Sequence, residues 1–390
     1  MSFPSWLPLL LGFLTAVGPV STDMYLPAFP AIEASLRSAP GTAQITLATW
    51  FAGLAVGQIT QGTLSDRFGR RWPLLAGTGI YTVASAGCAL APDLWTLSAL
   101  RAVAAFGGSA SMVIPRAVVR DLADGHAAAR LMSRLMLVMG AAPILAPTLG
   151  GAVLGVASWH AIFWIAFGYG VLCAVLVFFF LPDTLPAQNR VRLGLVGLVS
   201  RYWAIARERS FLTHASVGGF ALFAVFAYLG GSPGVFIEMF HLPPGRYALL
   251  FGISAAGYIV CSQVNARILP RFGADRVLTV AVRVFLAATV ALAIDAFTGW
   301  GGVAGVFLPI AVAMSCNGFM SPTAVVGALS RHAAHAGSAS AVMGTGQFVL
   351  GAISGSLVGV LDDGTARPMA VLMLAGGVCA AVADVCRPRT

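Results

Sequence analysis

Apolar runs of about 20 residues, the length a helix needs to cross a bilayer core, recur along the whole chain. Short gaps holding arginine, proline and glycine separate them. The stretch 161–181 contains no charged side chain. This pattern predicts twelve spans, at 7–29, 43–64, 73–92, 94–115, 134–156, 159–181, 211–233, 245–267, 277–298, 300–321, 339–361 and 367–386. A membrane β-barrel would instead alternate polar and apolar positions over segments of about ten residues. The expected fold is an all-α membrane protein.

Composition agrees with that reading. Of 390 residues, 58% are hydrophobic and 9% charged, whereas a soluble domain averages about 45–50% and about 25%. The net charge of +9 comes entirely from arginine, because the chain has no lysine. That excludes a Walker A lysine for ATP and a Schiff base to a carbonyl cofactor, so no cofactor is expected and an ion gradient is the energy source left. The arginines form no basic stripe, which argues against nucleic acid. The six cysteines have no CxxC pair and read as small buried hydrophobes. No basic segment precedes the first apolar run, so a retained first helix is expected.

The arginines are distributed unevenly between the gaps. Arg67, Arg70 and Arg71 follow span two, Arg116, Arg120, Arg130 and Arg134 follow span four, and Arg190, Arg192, Arg201, Arg207 and Arg209 follow span six. Arg267, Arg271, Arg276 and Arg331 lie in later gaps of the same side, with Arg387 and Arg389 in the tail, against Arg37, Arg246 and Arg367 on the opposite side. The positive-inside rule then places both termini in the cytoplasm. The longest gap splits the spans six and six, predicting a bundle over 1–181, a cytoplasmic linker over 182–210 and a second bundle over 211–390. The triplet Arg67-Phe68-Gly69 after span two returns as Arg271-Phe272-Gly273 after span eight. Two parallel six-helix halves with a site near the bilayer midplane are an architecture of secondary transporters.

Few charged residues fall inside spans. Asp23 lies in span one, where an ionised carboxylate costs about 2.5–3.5 kcal/mol on insertion scales, so such a group normally faces a polar cavity and is a candidate for proton binding; the bland reading is a hydrated cap near the span's end. Arg101 lies in span four, where a permanent charge needs a partner or snorkels to the interface. Between spans two and three, Gly62, Asp66, Arg67, Gly69, Arg70 and Arg71 form the most specific string in the chain, readable at its simplest as a topology anchor. Asp121 follows span four and is a candidate ion-pair partner for that loop. Span five contains Gly140, Pro143, Pro147, Gly150 and Gly151, the signature of a bent, closely packed helix. Tyr25, beside Asp23, and Gln58, Gln61, Tyr228, Gln263, Asn265, Asn317 and Gln347 are candidates to line a substrate cavity, though contacts between helices explain them equally well. His332 and His335 lack further ligands and read as a loop pair rather than a metal site.

The string Gly62-Thr-Leu-Ser-Asp66-Arg67-Phe-Gly69-Arg70-Arg71 resembles the hallmark G-x-L-x-D-R-x-G-R-R/K of the major facilitator superfamily. Asp23-Met-Tyr25-Leu-Pro27-Ala-Phe-Pro30 is similar to the corresponding string of its Bcr/CflA drug-resistance transporters. The resemblance implies two pseudo-symmetric six-helix bundles and a cytoplasmic latch at 62–71. Pro270 stands where the second copy would repeat Asp66, so the latch acid is expected from the first half alone. It further implies a role in proton coupling for Asp23 and for Arg101, whose motif R-x-x-Q-G has Ala104 in the glutamine position. Thr15 stands where some multidrug relatives carry a second acid. Span five is similar to the antiporter motif G-P-x-x-G-G, with Ala146 for the first glycine, a motif of exporters. The implied function is proton-coupled efflux of small, mostly apolar drugs across a bacterial inner membrane by a single chain. A metabolite importer on the same fold is the first rival, and a membrane-embedded enzyme or receptor the second.

Overall fold

A computed structural model describes residues 6–39, 41–122, 145–186, 188, 190, 195–332 and 336–388. These are helical with no β-strand among them. Nine helical segments among the described residues have the length and apolar character to cross a membrane. Their surfaces are those of a protein in lipid, with Val83, Phe179 and Val385 more than 70% exposed.

The chain divides into two compact units, residues 1–38 with 49–193 and residues 39–48 with 194–390. In the first unit the opening apolar segment is broken into α1 (Leu7–Thr15), α2 (Val17–Thr22), a 3-10 turn (Leu26–Ala28) and α3 (Phe29–Ser35). Pro27 and Pro30 lack the N–H groups that would bond the carbonyls of Asp23 and Leu26, so the α-helical ladder fails there. The chain tightens instead, with the Ala28 N–H bonding the Tyr25 carbonyl at 2.9 Å. The prolines interrupt the segment without ending it. It runs on to Ser35 rather than stopping at 29, which leaves Asp23 near the middle of a 29-residue stretch.

Next come α4 (Gln44–Phe68), α5 (Arg71–Ala89), α6 (Leu94–Leu122), α7 (Leu145–Leu154) and α8 (His160–Phe180). Leu7, Leu11 and Leu14 of α1 pack with Leu74 of α5, Ile114 and Val118 of α6, and Cys173 and Val177 of α8 in one apolar core. Around α6 the contacts are made by backbone. A Cβ at Gly53 or Gly57 of α4 would collide with Ala102, Ala105 or Ser109, and one at Gly77 of α5 or Gly107 of α6 would collide with the opposing helix. Small residues allow this close approach where lipid offers no hydrophobic drive for helices to associate.

The second unit holds α9 (Leu195–Arg207), α10 (Arg209–Pro233) with a π-helical turn at Gly234–Met239, α11 (Pro244–Phe272), α12 (Ala274–Thr298), α13 (Gly302–Leu329), α14 (Ala336–Leu361) and α15 (Arg367–Cys386). Helix α9 lies within the segment expected as a linker. Its Ile205 packs with Phe211, Ala328, Ala339 and Met343. The repeated triplet has a structural meaning: α4 ends at Phe68 and α11 at Phe272, and the following Gly69 and Gly273 both take positive φ, 93° and 76°. Only glycine enters that region without strain, so the same helix-stop device occurs in both halves. Several helices outrun the expected spans at the arginine-rich side; α6, for instance, continues through Pro115 to Leu122.

Candidate functional site

The loop after α4 is organised by one buried side chain. Arg70 is 2% exposed, and its Nε and Nη2 donate to the two carboxylate oxygens of Asp121 at 2.7 and 3.2 Å. Nη1 donates to Asp66 at 2.5 Å and to the Ser65 hydroxyl at 3.0 Å. Burial works against the guanidinium charge, but the hydrogen bonds and charges of Asp121 and Asp66 outweigh it and hold Arg70 more firmly protonated than the free side chain. The structure brings Asp66 and Arg70 of the loop together with Asp121, and it adds Asp183, which the sequence reading missed. That carboxylate, just past α8, accepts the Arg70 N–H at 2.8 Å and pairs with Arg190 at 2.8 Å. A Cβ at Gly69 would strike it. Arg71 donates to the Phe178 carbonyl at 2.5 Å, Arg67 lies over the Phe68 ring at 5.5 Å, and Gly62 makes only ordinary contact with Val113.

Asp23 lies at the break in the first segment, and Arg101 of α6 packs against the same break. Asp23 closes α2 and is 7% exposed. Among the described residues its carboxylate makes no hydrogen bond or ion pair, and none joins it to Arg101. Arg101 is 2% exposed in α6, so it does not snorkel. Its Nη1 donates to the Ser21 carbonyl at 2.7 Å, and its guanidinium lies 4.2 Å from the Tyr25 ring centroid and 4.4 Å from that of Trp50. Arg101 therefore grips the chain two residues before and two residues after Asp23 without pairing the carboxylate. Ser21, Tyr81, Ser85 and Cys88 join it around a small cavity of about 10 Å³, about the space of one water molecule. A buried arginine held by aromatic faces has no carboxylate to leave behind. Arg101→Met is therefore expected to keep its stability within about 1–2 kcal/mol of wild type, the scale of one hydrogen bond plus one cation–π contact. Thermal unfolding in detergent checks this, and a loss of 4 kcal/mol would refute it.

Gly140 and Pro143 lie outside the described residues, while Pro147, Gly150 and Gly151 belong to α7. A Cβ at Gly150 would overlap the Met24 carbonyl, so this glycine lets α7 reach the broken segment one residue from Asp23. The cavity candidates separate. Tyr25 and Tyr228 are buried, the latter stacked on Phe251 at 5.5 Å. Asn265 donates to Thr323 at 3.1 Å, a contact between α11 and α13. Asn317, Gln58 and Gln61 are buried, Gln347 is half-buried beside Gly218, and Gln263 is exposed. His332 lies 3.7 Å from Glu208, and His335 is outside the described residues.

A second buried arginine cluster lies in the second unit. Arg387, read from sequence as a topology charge, is 4% exposed. It pairs with Asp275 in the first turn of α12 and with Asp384 at 3.0 Å, and its guanidinium also meets Thr279 at 3.3 Å and His214 at 3.5 Å. Pro270 does remove the acid from the Asp66 position, but Asp275, two residues past Gly273, supplies one from the other side of the turn.

Membrane-length helices in two units and charge clusters that close helix ends define a polytopic membrane protein. The chain belongs to the Major Facilitator Superfamily, whose family model matches residues 11–356. It is 34% identical over 97% of its length to the uncharacterized MFS-type transporter YdgK of Bacillus subtilis (strain 168), covering 94% of that protein. It is 30% identical over 96% of its length to the bicyclomycin resistance protein homolog of Haemophilus influenzae, covering 93%, and its resemblance to the Bcr/CflA transporters rests on that relative. Among solved structures, a D-xylose-proton symporter matches with a TM-score of 0.76 at 14% identity, over 97% of this chain and 95% of that one; the likeness is one of fold.

Proposed function

We propose that this transporter exports small, mostly apolar drugs across the bacterial inner membrane in exchange for protons, by alternating access and as a single chain with both termini in the cytoplasm. The observation that carries the reading is Asp23, a buried carboxylate without a partner among the described residues, set in a proline-made break that α7 reaches through Gly150. A carboxylate so placed is costly in a membrane unless it takes and releases a proton. Arg101 holds the break on both sides and leaves that carboxylate free to titrate. The drug-resistance name of the Haemophilus influenzae relative supports efflux over import. In the cycle, drug binds from the cytoplasm with Asp23 deprotonated, and protonation from outside accompanies release. Bistable halves then return the carrier.

The test is transport into inside-out vesicles carrying an imposed pH gradient, acid inside, with bicyclomycin and chloramphenicol as the first probes. Drug accumulation that collapses on adding a protonophore is expected. Accumulation indifferent to the gradient would overturn proton coupling, and accumulation in intact cells rather than in inverted vesicles would overturn efflux.

A further inference from the structure

The surface of the second unit carries a groove that the exchange reading does not use. Gly273 alone joins α11 to α12, yet both helices pack on α13 far more than on each other. Small residues close the seam between α11 and α13: a Cβ at Gly257 would strike Ser315, and one at Gly318 would strike the Tyr258 carbonyl. Between α11 and α12 a space of about 330 Å³ stays open over α13. Phe272 of α11, Val280 and Val284 of α12 and Phe319 of α13 line it, and the first three are exposed. The one charged side chain in its lining is Arg276, in the first turn of α12.

That charge has no counterion in the protein. Arg276 is exposed, as are Arg267 and Arg271 in the last turns of α11, and among the described residues none of the three makes a hydrogen bond or ion pair. The acids at this end of the unit are already engaged: Glu208 pairs with Arg331, and Asp275 and Asp384 pair with Arg387. Arg276, Val280 and Val284 follow at intervals of four, so the charge and the apolar wall share one helix face, with about 12 Å from Arg276 to Val284. An apolar groove on a membrane helix pair, ending at an unpaired cation, repeats the order of parts in a phospholipid. Its walls set where an acyl chain lies but not which lipid is taken, because the chains of every lipid are already out of water. Discrimination falls to the headgroup. A guanidinium without a carboxylate pairs well with phosphate, and it favours a headgroup of net negative charge over a zwitterionic one, whose own ammonium balances the phosphate.

We propose that this groove holds one anionic phospholipid of the phosphatidylglycerol kind, its phosphate on the Arg276 guanidinium and one acyl chain along Phe272, Val280, Val284 and Phe319. Arg267 and Arg271 strengthen the attraction from the neighbouring helix end. With both termini in the cytoplasm, the lipid comes from the cytoplasmic leaflet. The site depends on the membrane fold and not on proton exchange at Asp23, so either reading can fail alone.

The experiment places the full chain in phosphatidylcholine nanodiscs with a minor fraction of phosphatidylglycerol that carries a diazirine in one acyl chain, and maps the photo-crosslinked peptides by mass spectrometry. The same diazirine on phosphatidylcholine is the control. Labelling at 268–284 and 316–319 by the anionic probe is expected to exceed that by the zwitterionic one about fivefold, the ratio for about 1 kcal/mol per arginine at a membrane surface. Arg276→Gln should remove the excess there and leave unchanged the labelling of the apolar groove at Leu9, Phe13 and Leu176 of the first unit. Val284→Trp, which fills the proposed groove, should lower its labelling by both probes. Equal labelling by the two probes on the wild-type chain would overturn the proposal, as would an excess that survives Arg276→Gln. A groove shielded from both probes and crosslinked to a second copy of the chain would overturn it too. Should a variant fail to fold, the comparison of the two probes on the wild-type chain decides.

Discussion

Asp23→Asn is expected to abolish drug uptake driven by a pH gradient, a fall of about a hundredfold or to background, as when a positioned proton acceptor is removed. Exchange of labelled for unlabelled drug at equal pH should fall as well, because a neutral asparagine stands for the protonated form from which drug is released. Asparagine keeps the shape of the side chain and its place at the end of α2, so the backbone break made by Pro27 and Pro30 is undisturbed. Stability should not fall. The carboxylate has no partner among the described residues to lose, and an acid at the centre of a membrane segment costs about 2.5–3.5 kcal/mol to insert. A variant that unfolds at or above the wild-type temperature yet no longer couples drug to protons separates coupling from structure. Gradient-driven transport at the wild-type rate would remove Asp23 from the mechanism.

Arg70→Ala is the counterpart with the largest expected effect on stability. Arg70 is buried against Asp121, whose side chain is 12% exposed, and deleting one member of such a pair strands the other. The cost is about 3–5 kcal/mol. Asp66 is 45% exposed, so Asp66→Asn should cost less than about 1 kcal/mol. Arg70→Ala combined with Asp121→Ala should be less harmful than the two single effects together, since the second change removes the stranded charge. Denaturation in detergent micelles of wild type, the three single variants Arg70→Ala, Asp66→Asn and Asp121→Ala, and the double variant checks the series. Equal losses for Arg70→Ala and Asp66→Asn would mean that the cluster is not organised around Asp121. Against this series, the mild effect expected for Arg101→Met shows how differently two buried arginines act when one is paired and the other lies against aromatic rings.

Much of this arrangement was legible from residues close together in sequence. The loop 62–71 announced Asp66 and Arg70, and the returning Arg-Phe-Gly triplet marked two helix ends where glycine takes a positive φ. Asp23 and Arg101 stood out because charge is rare inside apolar runs. What was missed depends on packing between distant segments. Asp183 joins Arg70 across 113 residues, and Arg387 joins Asp275 across 112. At span ends an acid or arginine reads the same whether it is solvated or buried in an ion pair. The course of the first segment was misjudged for a different reason: prolines signal interruption, but whether a helix resumes beyond them depends on the neighbours that cover it.

The glycine seams around α6 bear on how such a carrier changes under selection. At Gly53, Gly57, Gly77 and Gly107 even a methyl group has no room, so nearly every codon change there that alters the amino acid is closed to the lineage. Adaptive substitutions must then arise elsewhere in the chain. The helices joined at these seams then act as an inherited frame, and sequence variation accumulates on the helices around it.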